Sequence, residues 1–211
     1  MRRPPLEYGF RERLAFSAGA AQGATVESVL LGNVPGAVKV VKSTMEEDRN
    51  GTDWWIQTQS GSRLSVDAKV RERDWAATHP DEDDLALETW SVVESGVVGW
   101  TRDERKRTDY ILWLWVDTGR WCLIPFPFLC RVFADCWPAW STTFRTARQR
   151  TPHLNGGGYH SECVFVPRRT VWAEIYKTFS GVLEAPDQCA GDDDDDIDIE
   201  KLLDEMAAST E

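Results

Sequence analysis

Asp67, Ala68 and Lys69 put a carboxylate and an ammonium two residues apart in a run of alternating polar and apolar residues. Side chains alternate between the faces of a β-strand, so Asp67 and Lys69 share one face and Val66, Ala68 and Val70 take the other. Asp53 lies upstream, beyond a β-rich run and Ser60-Gly61-Ser62, which reads as a three-residue hairpin loop with a central glycine. Pairing Gln59 with Arg63 sets Asp53 opposite Lys69 and brings all three side chains to one face. Directly paired Cβ atoms then lie ~5 Å apart and diagonal ones ~7–8 Å. A slip of one residue would undo the arrangement.

Two carboxylates and an ammonium so grouped suit phosphodiester hydrolysis. Carboxylate oxygens are the ligands that a hard ion such as Mg²⁺ prefers. A metal held there lowers the pKa of a bound water and polarises the phosphate. A neighbouring lysine orients that water or offsets the growing negative charge. The competing reading is a solvated cross-strand Asp–Lys pair, worth only ~0–1 kcal/mol. Leu64, Val66, Ala68 and Val70 on one arm, with Trp54 and Ile56 on the other, argue instead that the far face of the hairpin is buried.

The elements around this hairpin follow from periodicity and breakers. Leu6 to Ala21 reads as a helix, continued or bent over Thr25 to Leu31 and stopped by Gly32, Pro35 and Gly36. Ala37 to Lys42 is a short strand and Met45 to Gly51 a charged loop. Asp53 to Gln59 and Arg63 to Arg71 are the hairpin arms, and Leu85 to Val93 is a third strand. Asp109 to Val116 and Arg120 to Ile124 form a second hairpin across Asp117-Thr118-Gly119. Phe126 to Cys136 and Ala139 to Gln149 read as helices, Pro152 to His160 as a glycine-rich loop, and Glu162 to Val166 as a last short strand. Thr170 is the expected N-cap of a helix over Val171 to Phe179, which Gly181 ends. This order predicts a mixed α/β domain whose central mixed β-sheet is flanked by helices.

Asp48-Arg49-Asn50-Gly51-Thr52-Asp53, then a strand, then Ser65-Val66-Asp67-Ala68-Lys69, resembles the pattern of the PD-(D/E)xK nuclease superfamily. The longer stretch is similar to uncharacterised phage and prophage proteins, through Arg71 to Trp75, Leu85 to Val93, Gly96 to Asp103 and Lys106 to Trp115. The resemblance spans roughly residues 6 to 180 and implies a restriction-endonuclease-like core. It also implies that Asp53 and Asp67 bind Mg²⁺ or Mn²⁺ and that Lys69 assists the water, in a nuclease acting on nucleic acid, DNA first, within a phage or mobile-element setting. Position 67 departs from the commoner Glu, which shortens the reach to metal.

Glu88, Glu27 and Asp48 are candidates for additional acids. Arg71, Arg73, Arg105, Lys106 and Arg107 are candidates for contact with the nucleic-acid backbone, the run from Arg105 to Arg107 foremost. Trp75 and Trp100 stand near loops where they could stack on bases.

The net charge of −11 runs against a DNA-binding protein until its distribution is read. Residues 192 to 211 hold ten acids and one base, a net of −9, so residues 1 to 191 carry only −2. The expected organisation is a nuclease-like domain over 1–183, a linker over 184–191 and an acidic tail over 192–211. Ile199, Leu202, Leu203 and Met206 form an apolar stripe on a short helix, a candidate surface for a protein partner. An idle nuclease-like fold serving as an adaptor through this tail is the alternative function. Five cysteines without a CxxC argue against a disulfide framework and a zinc knuckle. No apolar run reaches membrane-spanning length and no signal core follows the basic start, so a cytoplasmic location without membrane association is expected.

Overall fold

The computed structural model describes residues 20–152 and 157–183. In chain order these form α1 (Ala20–Asn33), β1 (Ala37–Lys42), α2 (Met45–Arg49), β2 (Trp54–Thr58) and β3 (Arg63–Arg71). Two 3₁₀ turns (Trp75–Ala77 and Pro80–Glu82) lead to β4 (Asp84–Val92), β5 (Val97–Val98), β6 (Tyr110–Trp115) and β7 (Trp121–Pro125). The chain ends with α3 (Phe126–Thr143), β8 (Thr146–Pro152), β9 (Gly158–Pro167) and α4 (Arg168–Leu183). The body extends to Tyr176. Residues from Lys177 belong to a second unit, of which only the end of α4 is described. The expected linker at 184–191, the tail and its Ile199, Leu202, Leu203 and Met206 lie outside the described residues.

The strands form a five-stranded mixed sheet in the order β1-β2-β3-β6-β7 and a four-stranded sheet in the order β5-β4-β9-β8. In the first sheet, β3 and β6 run parallel and every other pair is antiparallel. This sheet is covered on both faces, which accounts for the unbroken apolar run of β6. On one face Val26 and Leu30 of α1 pack with Val40, Trp54, Ile56, Val66, Leu112 and Leu114. On the other, Ile111, Trp113 and Ile124 join Leu129 and Phe133 of α3, Leu85 and Leu87 of β4, and Val164 and Val166 of β9.

An ionic clasp fastens the connection after β3. Arg120 donates to Asp74 at 2.7 Å and to Asp83 at 2.7 Å, and Arg168 at the start of α4 donates to Asp83 at 3.0 Å.

Several elements differ from the sequence expectation. Met45–Arg49 is helical rather than loop, because Thr44 and Glu47 form a reciprocal capping box at its start. One helix, α3, runs through Pro138. Ala134, four residues earlier, whose carbonyl would otherwise accept the missing N–H, is exposed. Residues 146–152 form a strand, not the end of a helix: α3 stops at Thr143, Phe144 is extended, and exposure then alternates along β8. Strand β9 is longer than expected and takes up the end of the glycine loop. Thr170 and Gly181 both fall inside α4, which starts directly after Pro167.

Candidate active site

The β2–β3 hairpin turns two residues away from the expected register. Gln57 pairs with Arg63 and Trp54 with Val66. Thr58 and Ser62 close a three-residue loop, Gln59-Ser60-Gly61, whose last residue has φ of +84°. A loop of this length ends on a left-handed residue, so the glycine belongs at its third position rather than its centre. Asp53 stands just outside the ladder, which ends at Trp54 and Val66, and its own N–H donates to the Val66 carbonyl at 2.9 Å. A slip of two residues preserves the face shared by Asp67 and Lys69, and the charges of both act on Asp53. The N–H of Ala68 donates to Asp53 Oδ2 at 2.8 Å. That backbone bond fixes the carboxylate at the mouth of the hairpin.

Asp67 is only 2% exposed. Its neighbours in the parallel strand place it beside Ile111, and Lys69 beside Trp113. Lys69 Nζ donates to Asp67 Oδ1 at 2.7 Å and Oδ2 at 2.9 Å. A second ammonium, that of Lys106, donates to Asp67 Oδ2. Trp100 walls this group: Lys69 Nζ lies 5.2 Å and Lys106 Nζ 5.5 Å from its ring, and Trp100 itself packs against Trp113 and Phe126.

Glu88, in the middle of β4, accepts the Trp100 N–H at 3.2 Å. Burial raises its pKa, and the charges of Lys69, Lys106 and Asp67 all act on it. Asp53 is pushed up to about 7, first by burial and then by the negative charge of Asp67; a hydrogen bond with Asp48 acts in the same direction. Burial also presses on Asp67, but Lys69 and Lys106 outweigh it and hold this carboxyl below the usual range. The result is one ionised carboxylate beside one proton-holding carboxyl.

Two glycines make the packing feasible. A Cβ at Gly51, whose φ is +96°, would overlap the Lys106 side chain, and one at Gly99 would overlap the Glu88 carbonyl. The loop carrying Lys106 is tied down at the same point. Thr52 Oγ1 donates to the Arg107 carbonyl at 3.0 Å, and the Arg107 N–H donates to Asn50 O at 3.4 Å.

Asp67 and Lys69 are brought into contact, and Asp53 and Glu88 within reach of their charges, with Asp48 beside Asp53. Glu27 is not. It is exposed on α1, whose buried residues cover the sheet face opposite Asp67. Of the basic candidates, Lys106 turns inward to Asp67, Arg105 pairs with Asp103 at 2.9 Å, and Arg73 lies 4.2 Å over Trp75. Arg107 is exposed, and Arg71 sits beside Trp115 in the parallel register. Trp100 is a wall of the site rather than a free stacking platform. The inward role of Lys106 and the two close-packed glycines escaped the sequence reading. Their only signals were Asn50-Gly51 before the acid and Gly99-Trp100 after β5.

Among the described residues, no three His, Cys, Asp or Glu side chains form a ready-made metal cage. Compared with family models, curated proteins and solved structures, the chain matches none.

Proposed function

We propose that the protein is a divalent-metal-dependent nuclease that hydrolyses phosphodiester bonds of nucleic acid, with DNA as the expected substrate. The observation that carries this reading is the buried carboxylate of Asp67, held by the ammoniums of Lys69 and Lys106, with Asp53 and Glu88 near enough for its charge to act on both. That arrangement, together with the spacing of Asp53, Asp67 and Lys69, supports a restriction-endonuclease-like core.

The donor set fits Mg²⁺ or Mn²⁺. It is made of carboxylate oxygens, and Asp67 is already saturated by cationic groups, the ammoniums of Lys69 and Lys106. A three-acid cage is not required, because Mg²⁺ keeps several waters and uses one or two carboxylates alongside substrate phosphate. Asp53 and Asp67 would hold the ion, with Glu88 nearest as a further oxygen ligand. When bound, the metal supplies an activated water and a polarised phosphate.

The chain's own groups do the rest. Lys69, fixed on the strand two residues from Asp67, presents an ammonium to the attacking water or to the charge growing on phosphate. Asp53 must give up its proton before it can serve as a ligand. The Trp100 wall lowers the local dielectric and so strengthens each of these charge interactions.

The deciding experiment incubates the full chain with single-stranded, double-stranded and branched DNA, and with RNA, in Mg²⁺, Mn²⁺ or EDTA. Cleavage with either metal and none in EDTA is the expected result. Cleavage that survives EDTA, or no cleavage of any substrate, rejects the reading.

The charge of −9 on residues 192 to 211 favours a second reading, an idle nuclease-like fold acting as an adaptor for a host protein. In that case deleting 192–211 abolishes partner capture, while Asp67→Asn leaves it intact. No helix among the described residues is long and apolar enough to cross a membrane. A cytoplasmic setting is part of the proposal.

A further inference from the structure

Two ammoniums serve one carboxylate at Asp67, and they are not equivalent. Lys69 is held by the strand and already spans both oxygens, at 2.7 and 2.9 Å. That contact leaves further acceptor capacity on the carboxylate. Lys106 arrives from the connection between β5 and β6, whose turn is closed by its own N–H donating to Asp103 O at 3.0 Å. It passes over Gly51, where the absence of a Cβ leaves the channel for its methylenes, and ends on Asp67 Oδ2. Its side chain is 12% exposed. So little-exposed an ammonium is costly to bury, and it donates to Asp67, with the charge of Glu88 also within reach.

We infer that Lys106 is the cation-exchange residue of this site: its ammonium occupies the position on Asp67 that a divalent cation takes, and it leaves when that cation binds. The inference rests on the nuclease reading for the identity of the ion and concerns how the site is kept before loading. A carboxylate as buried as Asp67 needs a cation to remain ionised and oriented. Lys106 shares that task with Lys69 in the metal-free protein, and its side chain lies in a channel over Gly51 along which it can withdraw while the loop backbone stays in place. Lys106 is therefore a positioning residue that acts through Asp67.

A purely structural lysine and an exchanging one respond oppositely to removal. The test titrates Mn²⁺ into the full-length protein by calorimetry, without nucleic acid, for wild type, Lys106→Met, Lys69→Met, Asp67→Asn and the Lys106→Met/Asp67→Asn double variant. Exchange predicts that Lys106→Met binds Mn²⁺ at least tenfold more tightly than wild type, because a competing like charge has gone. In the Asp67→Asn background the same change should bring no gain. The metal-free Lys106→Met protein should melt lower than wild type and recover more on adding Mn²⁺.

Unchanged or weaker Mn²⁺ binding by Lys106→Met overturns the inference, as does absence of Mn²⁺ binding by every variant. If Lys106→Met does not fold, Lys106→Gln, which retains the chain length, is judged by the same numbers. Tighter Mn²⁺ binding in a protein that cuts nothing would sink the nuclease reading and leave the exchange standing. Metal-dependent cleavage with unchanged affinity in Lys106→Met would do the reverse.

Discussion

Asp53, just outside the β2–β3 ladder, feels the charge of Asp67 on β3, and the two acids divide their charge unequally. Asp67 is held ionised by Lys69 and Lys106, whereas burial and the charge of Asp67 push Asp53 up to about 7. Two acids whose surroundings drive their pKa values apart are a common basis for separate chemical roles.

Metal binding should depend on pH through Asp53. Below about 7 the cation must displace its proton, so Mn²⁺ affinity is expected to rise up to about tenfold per pH unit and to level off above. Calorimetric titrations between pH 5.5 and 8.5 test this. A flat profile would remove Asp53 from the ligand set.

Asp53 should also burden the fold. Its folded pKa lies above its ordinary value of 3.8, so between these values the folded chain binds more protons than the unfolded chain. Stability therefore falls as pH rises from about 4 to about 7. Asp53→Asn is expected to raise stability at pH 8 by on the order of 2 kcal/mol, and the melting temperature with it, with little effect at pH 4.5. Thermal denaturation of both proteins at the two pH values measures it. Equal destabilisation at both would mean that the carboxylate is tied into the fold in its charged form.

Asp67→Asn should lose metal-dependent cleavage and keep the fold, at a cost of roughly 1–3 kcal/mol. The side chains are nearly isosteric, but two ammoniums lose their counter-charge, and each retains some access to water. Cleavage at the wild-type rate by a purified, folded variant would show that the chemistry lies elsewhere.

Gly99→Ala should destabilise by about 2–3 kcal/mol, since the added methyl meets the Glu88 carbonyl and neither strand can retreat without losing its ladder. The same shift moves Glu88 and the Trp100 N–H that holds it. Cleavage should fall more steeply than the melting temperature accounts for. An unaltered melting temperature would show that β4 and the β5 turn are looser than this packing requires.

The offset of the hairpin left the faces of its strands unchanged. The loop was placed one residue too far along, which moved the register by two, and a strand repeats its faces every two residues. Asp67 and Lys69 therefore kept a common face although the residues across from them changed. No comparable rule linked Asp67 to Lys106, 39 residues away. Within Arg105-Lys106-Arg107 nothing in the composition told which side chain would turn inward, because Gly51 alone opens that path. Periodicity failed where local signals competed. Pro138 suggested a break that the exposure of Ala134 made tolerable, and the arginines of β8 suit a helix until β9 offers them a sheet, as Arg148 shows by meeting Glu162 at 2.7 Å. Glu27 had the residue type for a site but lay on the wrong side of the sheet, which only the placement of α1 decides.

The parallel pairing of β3 with β6 governs when the site can exist during folding. A parallel neighbour cannot be reached by a tight turn, so the intervening chain, including β4 and β5, must be gathered in first. Ser65 and Asp109, which lock the start of this pairing at 2.7 Å, are 44 residues apart. Closing so long a loop costs entropy before any contact rewards it and tends to come late. The hairpin that carries Asp53 and Asp67 is local and can form early, whereas Lys106 and Glu88 join it only after that closure. A nascent chain would thus hold Asp53, Asp67 and Lys69 without Lys106 and the Trp100 wall, which arrive only once the long-range pairing is made.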